Sequence, residues 1–137
     1  MVMTVVDRET TIFVVDDDEA VRDSLAALLE ATGLTAMTFA TGRDFLTAYR
    51  AGRPPGCLVL DLDLPDMTGL DLLEGLAADG VDLPAILITG RRASALRARA
   101  DGAAVVALLE KPFPEQALLR AIADALGRRH GAPTSAA

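Results

Sequence analysis

Residues 57–69 read CLVLDLDLPDMTG. Leu58, Val59 and Leu60 form an apolar run that stops at Asp61, and Asp63 and Asp66 follow within five residues. A short apolar run bounded by turn residues describes a strand covered on both faces, as in a parallel sheet. A buried strand that ends among carboxylates requires a counter-charge supplied from elsewhere in the chain.

The rest of the sequence repeats the pattern. Ile12–Val15 is another continuous apolar run, rich in β-branched residues. From Val21, apolar residues recur at Val21, Leu25, Leu28 and Leu29, a helical stripe that Gly33 ends as a C-cap would. Residues 34–39 alternate weakly and give a second strand. Thr41, with Asp44 three residues on, opens a helix whose inner face is Phe45, Leu46 and Tyr49; Gly52, Pro54 and Pro55 break it. The strand at 57–61 leads through Pro65 and Gly69 to a helix lined by Leu70, Leu73 and Leu76. Residues 85–89, AILIT, form a fourth strand, followed by a short arginine-rich helix at about 92–100 and a fifth strand from Val105 to Leu109. Pro114 suits the start of a last helix, striped by Leu118, Ala121, Ile122 and Ala125. Five alternating β and α units predict an α/β protein: a parallel sheet with helices on both faces and right-handed crossovers. The expected organisation is an N-terminal extension at 1–10, one folded domain at 11–127 and a flexible tail at 128–137.

Composition narrows the function. The chain has 137 residues and a net charge of -7, with 51% apolar and 24% charged residues. That length buries one core without disulfides or a structural metal. The acidic balance argues against direct contact with nucleic acid, which needs a basic face. Cys57 is the only cysteine, so no intrachain disulfide forms, and its place at a strand start makes it a core residue. Asp7, Arg8 and Glu9 interrupt any signal-peptide-like stretch, and no apolar run is long enough to cross a bilayer. A cytoplasmic protein with no membrane contact is expected.

In such sheets, ligands sit beyond the carboxyl ends of the strands, where the strand order reverses. The polar residues of this chain gather at those ends. Strand 1 runs into Asp16 and Asp17, strand 3 ends at Asp61, strand 4 at Thr89, and strand 5 leads at once to Lys111–Pro112. Clustered carboxylates raise one another's pKa or recruit a cation, and Mg²⁺ prefers such oxygen ligands. Lys111 adds a fixed positive charge and Thr89 a hydroxyl. Together they describe a site for a metal and a phosphoryl group, in which a carboxylate acts as nucleophile and becomes an aspartyl phosphate. Each piece alone has an ordinary structural reading. An Asp-Asp after a strand is often a helix cap, a Lys-Pro is commonly a loop, and Asp63 reads as a solvated loop carboxylate. Asp18 and Glu19 are assigned to capping and the helix dipole. The specific signal is the co-occurrence, in chain order, at successive strand ends.

The segments IFVVDDDEAVRDSL, CLVLDLDLPDMTGLDLL, AILITG and LLEKPF resemble, in order and spacing, a response-regulator receiver domain of two-component signalling. The likeness spans roughly residues 11–126 and is greatest to the FixJ-like subclass. It implies the flavodoxin-like, doubly wound (βα)5 fold, with strand order 2-1-3-4-5. It implies that Asp61 accepts a phosphoryl group from a sensor histidine kinase or phosphotransfer protein. Mg²⁺ would be held by Asp17 directly, by Asp16 largely through water, by Asp61 and by the backbone carbonyl of Asp63. Thr89 and Lys111 would contact the phosphoryl oxygens, and the peptide before Pro112 would be cis. On this reading the domain is no turnover enzyme; it catalyses only its own phosphorylation and dephosphorylation, and its output is a contact with a downstream protein.

The family pattern is broken in two places. An aromatic ring usually stands three residues before the lysine, where this chain has Leu108; its structural reading is a core side chain. The segment RRASALRARADGAAVV has Ala104 where a glycine is usual, which suggests a shortened fourth helix and a longer loop into strand 5; with no aromatic ring at Leu108, a shift of Thr89 that pulls the loop after strand 4 is expected to place the switch in residues 90–104. No output domain is expected after Gly127, although the chain also reads as a receiver cut from a longer regulator. One enzyme reading competes. LVLDLDLPD also resembles the haloacid-dehalogenase phosphatase motif, with Asp61 as nucleophile and Asp63 as general acid. That family, however, normally carries the motif on its first strand and an acidic pair downstream of its lysine.

Overall fold

The computed structural model describes residues 10–52, 54–90 and 105–130, with side chains through Gly127. The strands are β1 (Thr11–Val15), β2 (Thr35–Phe39), β3 (Gly56–Asp61), β4 (Ala85–Thr89) and β5 (Val105–Glu110). Among the described residues there are four helices: α1 (Glu19–Ala31), α2 (Gly42–Gly52), α3 (Gly69–Ala78) and α4, the C-terminal helix (Glu115–His130). The strands form one parallel sheet in the order β2-β1-β3-β4-β5. The short helix expected at 92–100, and the switch placed in 90–104, lie outside the described residues apart from Gly90.

Burial follows position in the sheet. The three central strands, β1, β3 and β4, are buried at every residue, which is why their sequences are unbroken apolar runs. The edge strand β2 is half open and β5 only partly buried. Alternate residues of each strand feed two cores. On one face Phe13, Val15, Leu58, Leu60 and Leu87 meet Phe45 and Tyr49 of α2 and Leu72, Leu73 and Leu76 of α3. On the other, Ile12, Val14, Val59, Ile86 and Ile88 meet Leu25 and Leu29 of α1 and Leu118, Ile122 and Ala125 of α4. Thus α1 covers the face opposite α2 and α3. Crossovers of one hand require this, because the chain steps one way from β1 to β2 and the other way from β2 to β3 and β4.

Local chemistry sets the helix ends. Asp18 caps α1, its carboxylate accepting from the amides of Ala20 (2.9 Å) and Val21 (3.3 Å), which confirms its assignment as a cap. Gly33, at φ 87°, closes α1, donating to Glu30 O while Leu34 N donates to Leu29 O. Gly69 starts α3 pressed against the chain that leaves β3; a Cβ there would lie 2.8 Å from Leu62 Cδ2. The last helix departs from expectation. α4 continues to His130, three residues into the segment 128–137 expected to be a tail. Gly127 lies inside this helix with open space where a side chain would be, and the arginines that follow are good helix formers that need no apolar stripe.

Candidate functional site

The strand order reverses between β1 and β3, and these neighbours deliver Asp16 and Asp61 side by side. Asp61 is the last residue of β3 and Asp16 the first beyond β1, its amide still donating to Phe39 O of β2 at 3.0 Å. Both are buried, 2% and 6% exposed. Each uses one carboxylate oxygen locally. Asp16 Oδ1 accepts from Asp18 N, and Asp61 Oδ1 accepts from Asp63 N, both at 2.9 Å. These two Asx turns fix the side chains and leave both Oδ2 atoms facing one point.

Lys111 occupies that point. Its Nζ lies 3.7 Å from Asp16 Oδ2 and 3.8 Å from Asp61 Oδ2. At these separations the ammonium acts as a neighbouring charge and not as a hydrogen-bond donor. Among the described residues, Asp16 Oδ2 is the one buried side-chain oxygen or nitrogen without a hydrogen-bond partner. Lys111 is held by its own amide, which donates to Thr89 O at 2.8 Å, and the peptide between it and Pro112 is cis. Thr89, at the end of β4, is 1% exposed and next in sequence to Ile88, whose carbonyl accepts from Leu62 N. Asp17 is exposed, yet its carboxylate joins those of Asp16 and Asp61, one oxygen of each lying within 4.8 Å of the others. A buried unpartnered oxygen and three converging carboxylates form a donor set that suits a hard cation, so the residues present fit Mg²⁺.

Burial and the neighbouring charges act together on Asp61. Burial, above all, raises its carboxyl pKa above the ordinary 3.8; the Asp63 amide pulls it down, Asp16 pushes it up, and Lys111 lowers it again. Cys57 behaves as the core residue expected from its position: burial pushes its thiol up to about 12.

Of the three carboxylates in DLDLPD, only Asp61 enters the site. The Asp63 side chain is exposed, as a solvated loop residue would be. Asp66 turns away to α2, where Oδ1 accepts from Gly42 N (3.1 Å) and Oδ2 from Arg43 N (3.0 Å). This cap spans more than twenty residues of chain, and no local sequence pattern announces it. Arg22 was missed as well. Its Nη1 donates to the backbone carbonyl of Asp16 at 2.9 Å. The only sequence signal is its place four residues after the cap Asp18, one helical turn on and back toward the β1–α1 turn. Leu108 pairs with Leu87 and packs, half-buried, against the core on the α2–α3 face, the role its structural reading gave it. The phosphatase alternative gains no support, because the acidic motif lies on the third strand and the acidic pair precedes it.

Comparison with known proteins agrees with this geometry. The family model for the response regulator receiver domain matches residues 12–123. The transcriptional regulatory protein FixJ of Azorhizobium caulinodans is 40% identical over 119 residues, covering 85% of this chain and 55% of that protein. The response regulator protein TmoT of Ectopseudomonas mendocina is 38% identical over 120 residues, covering 88% of this chain and 54% of that protein. The chain thus spans about half the length of these relatives. The crystal structure of FixJ-N superposes with a TM-score of 0.75 at 36% identity, over 87% of this chain and 94% of that one. The chain belongs to the response regulator receiver domain family, the signalling receivers of two-component systems.

Proposed function

We propose that Asp61 is the phosphoryl acceptor of this receiver and that a sensor histidine kinase or phosphotransfer protein is the donor. An Asp61 carboxylate oxygen attacks the phosphorus of a phosphohistidine; the O–P bond forms, the P–N bond breaks, and its electron pair leaves on the imidazole nitrogen. Lys111 Nζ, already 3.8 Å from Asp61 Oδ2, faces the charge that develops on the transferring oxygens. The Thr89 hydroxyl, at the neighbouring strand end, contacts the same oxygens. Asp16, Asp17, Asp61 and the Asp63 carbonyl would hold Mg²⁺, which supplies charge neutralisation for the phosphoryl oxygens when bound. The phosphorylated domain signals by contact with a downstream protein. No helix among the described residues is long and apolar enough to cross a membrane, and we place the receiver in the cytoplasm.

The single observation that carries this reading is the convergence of the Asp16 and Asp61 Oδ2 atoms on Lys111, with Asp16 Oδ2 buried and unpartnered. The test is labelling by acetyl phosphate with Mg²⁺, followed by mass mapping of the modified residue. One phosphoryl group on Asp61 is expected, with none on Asp61→Asn, and Asp17→Ala should bind Mg²⁺ much more weakly and so need more of it for labelling. Full labelling of Asp61→Asn at another residue would remove Asp61 from the role.

A further inference from the structure

We propose that Arg22 is a positioning residue for the cation site: by holding the Asp16 carbonyl it locks the β1–α1 turn in the form that presents the Asp16 and Asp17 carboxylates. The inference rests on the proposed Mg²⁺ site and names a residue in the shell behind it.

Asp16 is pinned from three directions. Its amide donates to Phe39 O at 3.0 Å, its Oδ1 accepts from Asp18 N at 2.9 Å, and its carbonyl accepts from Arg22 Nη1 at 2.9 Å. With every other polar atom engaged, Oδ2 is the one left to face the site, and it is the atom without a hydrogen bond. The carbonyl matters because it is half of the Asp16–Asp17 peptide. Rotation of that peptide would swing the Asp17 side chain, which is exposed and has no core packing to hold it. The carbonyl lies before the N-cap, so α1 offers it no amide, and Arg22 reaches back from the first turns of α1 to satisfy it. Arg22 itself is fixed by its own backbone, its amide donating to Asp18 O at 3.0 Å. Among the described residues the guanidinium hydrogen-bonds this backbone carbonyl and pairs with no carboxylate of the cluster.

Positioning and charge predict opposite signs. A guanidinium near the cluster repels a cation, so removing only its charge strengthens Mg²⁺ binding. Removing the hydrogen bond loosens the donor set and weakens it, and the loss of such supporting contacts costs about tenfold or more in metal affinity. Arg22→Met keeps the stem and removes both charge and donor, whereas Arg22→Lys keeps the charge and a donor of similar reach.

The experiment is calorimetric Mg²⁺ titration of the unphosphorylated full chain, wild type against both variants, with amide exchange of residues 16–19 followed without metal. Expected are affinity about tenfold weaker in Arg22→Met and mostly restored in Arg22→Lys. Faster metal-free exchange at Asp18 should appear in Arg22→Met only. Acetyl phosphate labelling of Arg22→Met at saturating Mg²⁺ should approach the wild-type rate, with the defect confined to low Mg²⁺. Unchanged or tighter Mg²⁺ binding in a folded Arg22→Met overturns the proposal. A Lys variant as weak as Met also overturns it, since the lost group would then be the guanidinium shape and not a donor to the carbonyl. Absence of Mg²⁺ binding in the wild type would instead remove the cation site on which the proposal stands.

Discussion

Asp66→Ala isolates a contact that reaches from the acceptor loop to the start of α2, the helix beside α3 on the same face of the sheet. The wild-type carboxylate accepts two amides at the start of α2, Gly42 N at 3.1 Å and Arg43 N at 3.0 Å, while Thr41 Oγ1 accepts a third from Asp44 N at 3.0 Å. Alanine removes two of the three acceptors and returns two amides to water. An ordinary cap is worth about 0.5–2 kcal/mol. A charged acceptor that serves two donors belongs in the upper half of that range. We therefore expect a loss of about 1–2 kcal/mol, which for a domain of this size lowers Tm by roughly 4–8 °C. Asp66→Asn, which keeps a neutral acceptor, should lose about half as much.

The pH dependence gives a second check. Desolvation pushes the Asp66 carboxyl up, but the Arg43 and Gly42 amides, its own backbone and the Arg43 charge together hold it below 3.8. A depressed folded-state pKa means stability that is present above the unfolded value and lost as pH falls through the folded one. The gap between wild type and Asp66→Ala in urea unfolding should therefore be full at pH 7 and shrink below 3.8. Exchange of the Gly42 and Arg43 amides should quicken in the variant at neutral pH. A loss under about 0.5 kcal/mol, within the scatter of ordinary surface substitutions, would refute the capping argument. So would a gap that persists unchanged in acid.

Two further outcomes concern the site itself. Asp61→Asn should raise Tm at pH 7 in metal-free buffer: the raised acid pKa means that stability falls as pH climbs from 3.8 to the folded value, so thermal scans should separate the two proteins at neutral pH and bring them together below 3.8. No stabilisation at pH 7 would contradict the buried, charge-crowded setting of Asp61. Lys111→Met should bind Mg²⁺ more tightly, because a cation 3.7 Å from Asp16 is gone, yet accept phosphoryl groups about a hundredfold more slowly, the scale of losing one preorganised donor. An unchanged labelling rate would make the lysine a structural counter-charge only.

What could be read from the sequence depended on the range of the interaction. β1, β3 and β4 are apolar at every position because both faces of the central sheet are covered, so each appears as an unbroken run. The caps at Asp18 and Gly33 act within a few residues and were equally plain. Asp16, Asp17, Asp61 and Lys111 were found because strand ends recur in order, and a parallel sheet sends all its carboxyl ends to one edge. Asp66 was indistinguishable from its neighbours, since its partners lie on α2 and only the folded β3–α3 loop brings them together. Arg22 looked like one more polar residue on an exposed helix face. The end of α4 was misplaced because its last turn carries no apolar stripe, and periodicity reports packing and not helicity as such.

The same long-range order explains how a site so unfavourable to itself persists. Two carboxylates face one lysine and a third joins them, and burial and the neighbouring carboxylates raise the Asp61 carboxyl pKa despite the lysine. Exposed side chains in that position would turn toward water. Asp16 and Asp61 cannot, because Asp16 directly follows and Asp61 ends a strand with no exposed residue, and each is tied by Oδ1 to the amide two residues on. Core burial of Val14, Val15, Val59 and Leu60, all within 1% of full burial, anchors the backbone at both points. At roughly 1.5–3 kcal/mol for each buried aliphatic side chain, that packing holds the strand ends in place against the local repulsion. The free energy that holds the carboxylates together thus comes from the sheet, and it leaves Asp16 Oδ2 buried with no hydrogen-bond partner among the described residues. A cation would therefore meet the Asp16 and Asp61 carboxylates already held by the fold.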